Sequence, residues 1–453
     1  MSEKMRISII ILMFFSCSLY AQKWSYHYVD SLSYKLYQQK EWQELNKVCR
    51  EARHNKVDYY WLRMRSAIAY MERQKYMKAI RDLKKAKYFN SYEQLPGTLS
   101  IISYLNTGRY REALELNKKD SSGLRFLNFS LESGPLFPGK HKVEDDLDGE
   151  HDVYGEHLRL NGAMYTGANT SILINKLFKL SLQYSTMSFK GEHLISYNNT
   201  ADNNKYSLTQ AQLYVSSSMY MGKGIFIDPY FNLLKSNYTN YTSEYDSLSY
   251  TYNPVNQTFS EIEYFYSSDS NKAKISEYVA GMSFEKRWSQ LYLGMELSLN
   301  NVNQNEYYQT GVNLTWYLTG SFEYYVYAAL FAQYISNDLK LHQVYKTGFQ
   351  PFENFWVEAG TELGQFKGFN INKGSLLYNM PDDIQWKGDL CFKYLMRDRY
   401  ELSLRYVYMR KHQEYIQYTL QGYNQNNFPV FEESLYPDNY NQHLFIFGLN
   451  IIL

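Results

Sequence analysis

The sequence is poor in the residues that usually announce a chemistry. Three cysteines occur in 453 residues, Cys17, Cys49 and Cys391, too few and too scattered for a disulfide framework or a Cys/His metal cluster. Charge of one sign is lacking too: 47 basic side chains stand against 46 acidic ones, which leaves no electrostatic footprint for nucleic acid. Proline (9) and glycine (24) are scarce, so the chain is not a low-complexity one. Apolar runs are short everywhere except at the N-terminus, and mean hydropathy is −0.52, which argues against a bundle of transmembrane helices. The nine histidines form no HExxH pair, and neither GxSxG nor a phosphate loop occurs, so no enzyme, cofactor or metal site is expected. A hydrolase whose Ser and His are brought together only by the fold stays as the third-ranked alternative. What the chain has in excess is tyrosine, 48 residues against 7 Trp and 25 Phe.

Residues 1–21 read as an address. Lys4 and Arg6 precede the apolar run Ile7 to Phe15, and Leu19-Tyr20-Ala21 supplies a small residue before a cut at Ala21/Gln22. That order defines a secretory signal peptide. Phe14-Phe15-Ser16-Cys17 offers a poorer, lipoprotein-like alternative that would place a lipid on Cys17.

Residues 24–120 have helical composition and repeat every 34 residues. Tyr70, Tyr76, Ala79, Leu83 and Ala86 shift back onto Leu36, Trp42, Leu45, Cys49 and Ala52, and forward onto Tyr104, Tyr110 and Ala113. Gly108 stands at a turn position filled by Gln74 and Lys40 in the other two units. This resembles the tetratricopeptide (TPR) pattern, with small residues where paired helices touch and aromatics at the turn. The resemblance implies a groove for a protein or peptide partner, lined and packed by Leu36, Trp42, Leu45, Ala52, Tyr70, Tyr76, Ala79, Ala86, Tyr104, Tyr110 and Ala113.

From residue 121 to 453 the period changes to two. Leu291, Leu293, Met295, Leu297 and Leu299 share one face, while Tyr292, Gly294, Glu296, Ser298 and Asn300 share the other. Alternation of this length suits tilted membrane strands of about 9–11 residues with a polar lumen, and exceeds the usual soluble strand of about 5–6. Candidate strands number about 14, an even count. Short turns alternate with longer connections near 134–153, 191–205, 239–273, 368–384 and 419–440, so the helical part and the C-terminus fall at the same, periplasmic end. The last strand, from Phe445 to Leu453, resembles the terminal strand by which barrel proteins are recognised by the insertion machinery.

The expected architecture is therefore an all-β transmembrane barrel of about 14 antiparallel strands, preceded by a small all-α TPR-like domain. Its lumen is expected to carry Glu296, Glu323, Glu358, Glu362, Lys387, Asp389, Lys393, Glu401 and Arg405. Mixed signs favour an internal ion-pair network over a selectivity lining. The acidic run 144–152 misaligns with an EF-hand loop and reads as a solvated loop. The Tyr-rich stretch 239–273 reads equally as a binding surface and as a loop packing on itself. In architecture the chain is similar to surface lipoprotein assembly modifiers and exopolysaccharide export porins. That similarity implies an outer-membrane protein of a Gram-negative bacterium, in contact with outer-membrane lipid. A periplasmic partner would bind the helical domain while the barrel supports export, assembly or surface display. An occluded, adhesive barrel presenting Tyr-rich loops is the second reading.

Overall fold

The computed structural model describes residues 24–117, 124–139 and 153–452, apart from 176, 198–199, 254–257, 303–304, 336–337, 380–381, 398 and 424–428. The leader 1–21 and the acidic run 144–152 lie outside the described residues.

Three helix pairs come first: α1 (Tyr26–Gln38) with α2 (Trp42–His54), α3 (Tyr60–Glu72) with α4 (Tyr76–Phe89), and α5 (Leu95–Leu105) with α6 (Tyr110–Leu116). The first helices begin at 26, 60 and 95 and the second at 42, 76 and 110, so the 34-residue spacing recurs to within one residue. Each pair turns through a left-handed residue: Lys40 (φ 59°), Gln74 (φ 55°) and Gly108 (φ 60°). Their cores are short-range. Leu45, Cys49 and Ala52 pack with Leu36 and Trp42; Tyr70, Ala79, Leu83 and Ala86 form the next cluster; Tyr104 and Ala113 close the third with Ile80. Tyr110 departs from this pattern and is 51% exposed. Helix α6 is only seven residues long and turns Arg111, Glu112 and Ala113 inward, which leaves Tyr110 on its outer side among the described residues.

The strands follow. β1 (Arg125–Pro138), β2 (Val153–Leu173), β3 (Phe178–Tyr197), β4 (Thr200–Tyr220), β5 (Ile225–Asn253) and β6 (Thr258–Arg287) precede the short β7 (Leu291–Asn300) and β8 (Tyr307–Tyr317). Then come β9 (Tyr324–Ile335), β10 (Asp338–Phe352) and β11 (Phe355–Gly364). A small hairpin, β12 (Asn370–Ile371) and β13 (Leu376–Leu377), separates these from β14 (Asp383–Met396), β15 (Tyr400–Tyr423) and β16 (Pro429–Ile452). Leaving out β12 and β13, the strands form one closed antiparallel barrel of 14, in which β1 pairs with both β2 and β16.

β7 shows the inside-out character of the wall. Met295 and Leu297 are 52% and 50% exposed, whereas Glu296 and Asn300 are 3% and 2% exposed. Apolar side chains form the outer surface of the wall and polar ones the interior, the reverse of a water-facing sandwich. An uncovered apolar belt of this kind is stable only against another apolar medium.

Three expected long loops are strands instead. Pairing between β5 and β6 continues from Thr239↔Lys272 to Asn253↔Thr258, through the stretch read as loop 239–273. Likewise β3–β4 pair up to Tyr197↔Thr200 and β15–β16 up to Tyr423↔Pro429, through 191–205 and 419–440. In these stretches Ser, Thr, Asn and Tyr occupy both parities, so the period-two hydropathy signal fades, while Tyr and Thr keep their preference for extended backbone. The upper part of β15 also pairs with β2, from Ile416↔Glu156 to Thr419↔Val153. Because β16 and β1 lie between them in the ring, that hairpin leans across the barrel mouth.

Candidate functional site: a plugged lumen

The connection from β11 to β14, read from sequence as the outer loop 368–384, folds back into the barrel. Phe369, Asn370 and Ile371 are essentially fully buried. One side of this plug is apolar. Phe366, Phe369, Ile371 and Tyr378 pack against Phe331, Val344, Val407 and Met409 on the β9–β10 and β15 wall. The other side is hydrogen-bonded to side-chain amides. Gln333 donates to the Gly368 carbonyl at 2.8 Å, Asn232 to that of Gly374 at 2.7 Å, and Gln212 to that of Ser375 at 2.9 Å. Gln309 both donates to and accepts from the Asn370 main chain. These amides come from β4, β5, β8 and β9. Their role as plug anchors had no sequence signal, because their partners are main-chain atoms far along the chain.

A buried cluster clamps the plug at its C-terminal side. Glu362 accepts from Lys387 at 2.8 Å and from the plug's Tyr378 hydroxyl at 2.5 Å, while Lys387 also donates to that hydroxyl at 2.6 Å. His342 Nε2 lies 3.1 Å from Glu362, its Nδ1 lies 3.0 Å from the Gln365 carbonyl, and Phe366 packs edge-on to its ring at 4.6 Å.

The plug tip reaches the opposite end of the lumen. Asn372, Lys373 and Gly374 are successive left-handed residues (φ 53°, 57° and 74°), which aim Lys373 at Asp228 and, 3.8 Å away, at Glu285. Beside the tip lies a cavity of about 690 Å³ whose walls include Glu296, Tyr325, Lys346, Trp356, Glu358 and Lys393. A second, of about 370 Å³, lies along the plug and is lined by Glu362, Lys387, Asp389 and Arg405 among others.

The expected lumen charges divide as follows. Glu358 accepts from Lys393 and from Tyr325, each at 2.8 Å, and Glu296 accepts from Tyr230 at 2.7 Å. Glu401 lines the larger cavity and Arg405 the smaller. Asp389 lies against Gly360 on the neighbouring strand, 2.5 Å from where a Cβ would stand. Glu323 departs from the expectation, because pairing begins only at Tyr324 and leaves Glu323 in the turn before β9. Asp228, Lys346 and Lys373 belong to the interior and were not singled out from sequence.

The helices dock at the end reached by the plug tip. The connections after β4, β6 and β8 open to this end. The Met77 amide donates to the Gly320 carbonyl at 2.9 Å, Arg109 to that of Trp288 at 2.8 Å, and Arg111 to the Ser218 hydroxyl at 3.2 Å. Tyr220 donates to Glu115 at 2.5 Å. Burial pushes the Tyr104 hydroxyl up to about 12, and the Arg109 guanidinium lies 5.0 Å over its ring.

No protein-family model matches the chain, and no curated protein does. Among solved structures, a FadL homologue of Pseudomonas aeruginosa aligns with 72% of this chain and 90% of its own, at 9% identity and a TM-score of 0.44. The toluene transporter TodX of P. putida aligns with 72% of this chain and 90% of its own, at 9% identity and a TM-score of 0.42. The CymD monoaromatic hydrocarbon channel aligns with 73% and 89%, at 11% identity and a TM-score of 0.31. Likenesses this distant say nothing of cargo or partner.

Proposed function

We propose that the chain is an integral outer-membrane protein, with the helices in the periplasm, that moves a polar substrate through a barrel gated by residues 366–379. The belt of exposed Leu, Met and Phe on the wall supports the membrane setting, since such a surface is stable only in lipid. The observation that carries the gate is the two-sidedness of the plug. Its apolar side packs against β9, β10 and β15, whereas its other side is held by amide hydrogen bonds, one each from β4, β5 and β9 and a donor–acceptor set from Gln309 on β8. Water replaces such bonds at a net cost of about 1 kcal/mol each, while uncovering the apolar side costs about 25 cal/mol per Å². The plug therefore opens along the amide-lined wall and stays packed on the other. The charged and tyrosine-rich lining of that path fits a polar cargo.

The three helix pairs are TPR-like in period and in their left-handed turns, and in this reading they recruit a periplasmic protein or peptide. The occluded, adhesive alternative draws on the complete burial of Phe369 and Ile371. Conductance in planar bilayers separates the two. Replacing 366–379 by a short Gly/Ser linker is expected to give a steady open channel where the full chain is mostly closed. A correctly folded, plug-less barrel that passes no current would overturn the transport reading.

A further inference from the structure

The helical array and the plug tip meet at the same set of side chains. Arg287, beside the β6–β7 turn, lies with its guanidinium 4.1 Å over the Phe226 ring and 5.2 Å over the Tyr292 ring. The array addresses the same two rings. Arg111 is 5.5 Å over Phe226, and Arg109 is 5.9 Å over Tyr292. Arg287 in turn pairs with Glu285, and Glu285 stands 3.8 Å from the plug's Lys373. Lys373 is also paired with Asp228. One uninterrupted path of cation–π and ionic contacts thus runs from α6 and its cap, through two rim aromatics, to the tip of the plug.

We propose that the helical array is the plug's latch: docked on the rim, it holds Arg287 and Glu285 where they retain Lys373, and displacement of the array frees the tip. This rests on reading the plug as a gate. The array covers both rings and brings the Glu112 carboxylate near enough to attract Arg287, so withdrawing the array removes that cover and that attraction and leaves Arg287 free to shift. Glu285 follows Arg287, and the tip loses one of its two carboxylates. The tip is poised for release, because Asn372 and Lys373 hold left-handed backbone that L-residues adopt at a cost. Engagement of the array by a periplasmic ligand that competes for α6 would open the lumen from below.

The test is made in planar bilayers on the wild type, Arg111→Ala, Lys373→Ala, the double variant and the plug-less chain. Tyr220→Phe serves as a milder probe, removing only the hydroxyl donated to Glu115, in case Arg111→Ala disturbs folding. Arg111→Ala is expected to raise the open probability about three- to thirtyfold, the ratio implied by loss of a cation–π contact. Lys373→Ala should do the same, and the double variant should open no more than the stronger single. Tyr220→Phe should shift opening in the same direction by less. If the plug-less chain conducts but neither Arg111→Ala nor Tyr220→Phe changes opening, or if Arg111→Ala and Lys373→Ala add independently, the latch is wrong while the gate stands. A silent plug-less chain overturns the gate itself, and the latch with it.

Discussion

Lys387 donates to Glu362 across the β11–β14 pair at 2.8 Å, and both side chains then hold a single plug hydroxyl, that of Tyr378. Tyr378→Phe removes that hydroxyl and leaves a buried Glu362–Lys387 pair still satisfied by each other. Losing hydrogen bonds to charged groups costs about 1.5–3 kcal/mol, so the closed state should weaken by roughly a factor of ten or more. Single-channel recording of Tyr378→Phe should show more frequent openings than wild type. Unchanged gating would mean that the Tyr378 clamp does not hold the plug, and that its apolar packing, amide bonds and Lys373 pairs do.

Lys40, Gln74 and Gly108 offer a cleaner test of the repeat. All three sit at left-handed turns 34 residues apart, yet only glycine does so without a Cβ penalty of about 1–2 kcal/mol. Gln74→Gly should stabilise the helical region by about 0.5–1 kcal/mol after the entropic cost of glycine is deducted. Gly108→Ala should destabilise it by about 1 kcal/mol through backbone strain alone, since an added Cβ would meet nothing closer than Phe322 at 3.8 Å. Thermal melts followed at 222 nm would check both signs.

How far the sequence foretold this molecule depends on how local each feature is. Alternation such as that of Leu291 to Asn300 gave the wall and its inside-out polarity, because side-chain direction in a strand is fixed by parity, and its recurrence along 121–453 gave the strand count. The spacing from Tyr70 to Ala86 gave the helix pairs for the same reason. The plug was illegible. Gly368, Asn370 and Gly374 are residue types that read as an exposed loop, and their burial depends on amides such as Gln309, Gln333 and Asn232 from distant strands.

Asp82 ties the array together and predicts its weakest substitution. The carboxylate is fully buried and accepts from Arg63 at 2.6 Å, Ser66 at 2.7 Å and Arg53 at 3.1 Å, joining α2, α3 and α4. Asp82→Ala leaves Arg53 with the Ser66 hydroxyl in place of a carboxylate, while Arg63 keeps its pair with Asp58, and should cost about 3 kcal/mol. The helical region should then melt separately from, and well below, the barrel. A single coincident transition at the wild-type temperature would show that the barrel rim, not this cluster, sets the stability of the array.

Cys49 makes the last prediction chemical. Its side chain is fully buried between helix pairs, with Sγ 3.8 Å from the Leu62 carbonyl. Burial pushes the thiol up to about 12, against a smaller opposing pull from Arg53. Only the thiolate is nucleophilic, so the folded protein should resist iodoacetamide at pH 8 at this position. The rate should climb about tenfold per pH unit well beyond pH 9, where an ordinary thiol with a pKa of about 8.5 has already levelled off. Because the folded state holds this proton more tightly than the unfolded one, the thiol's own contribution to stability falls as pH rises from about 9 towards about 12, and Cys49→Ala should make the loss of stability with pH shallower, leaving the share from buried tyrosines such as Tyr104. Peptide mapping after alkylation would decide it: rapid labelling of Cys49 at pH 8 in the native protein would place the residue outside the core that the first repeat builds.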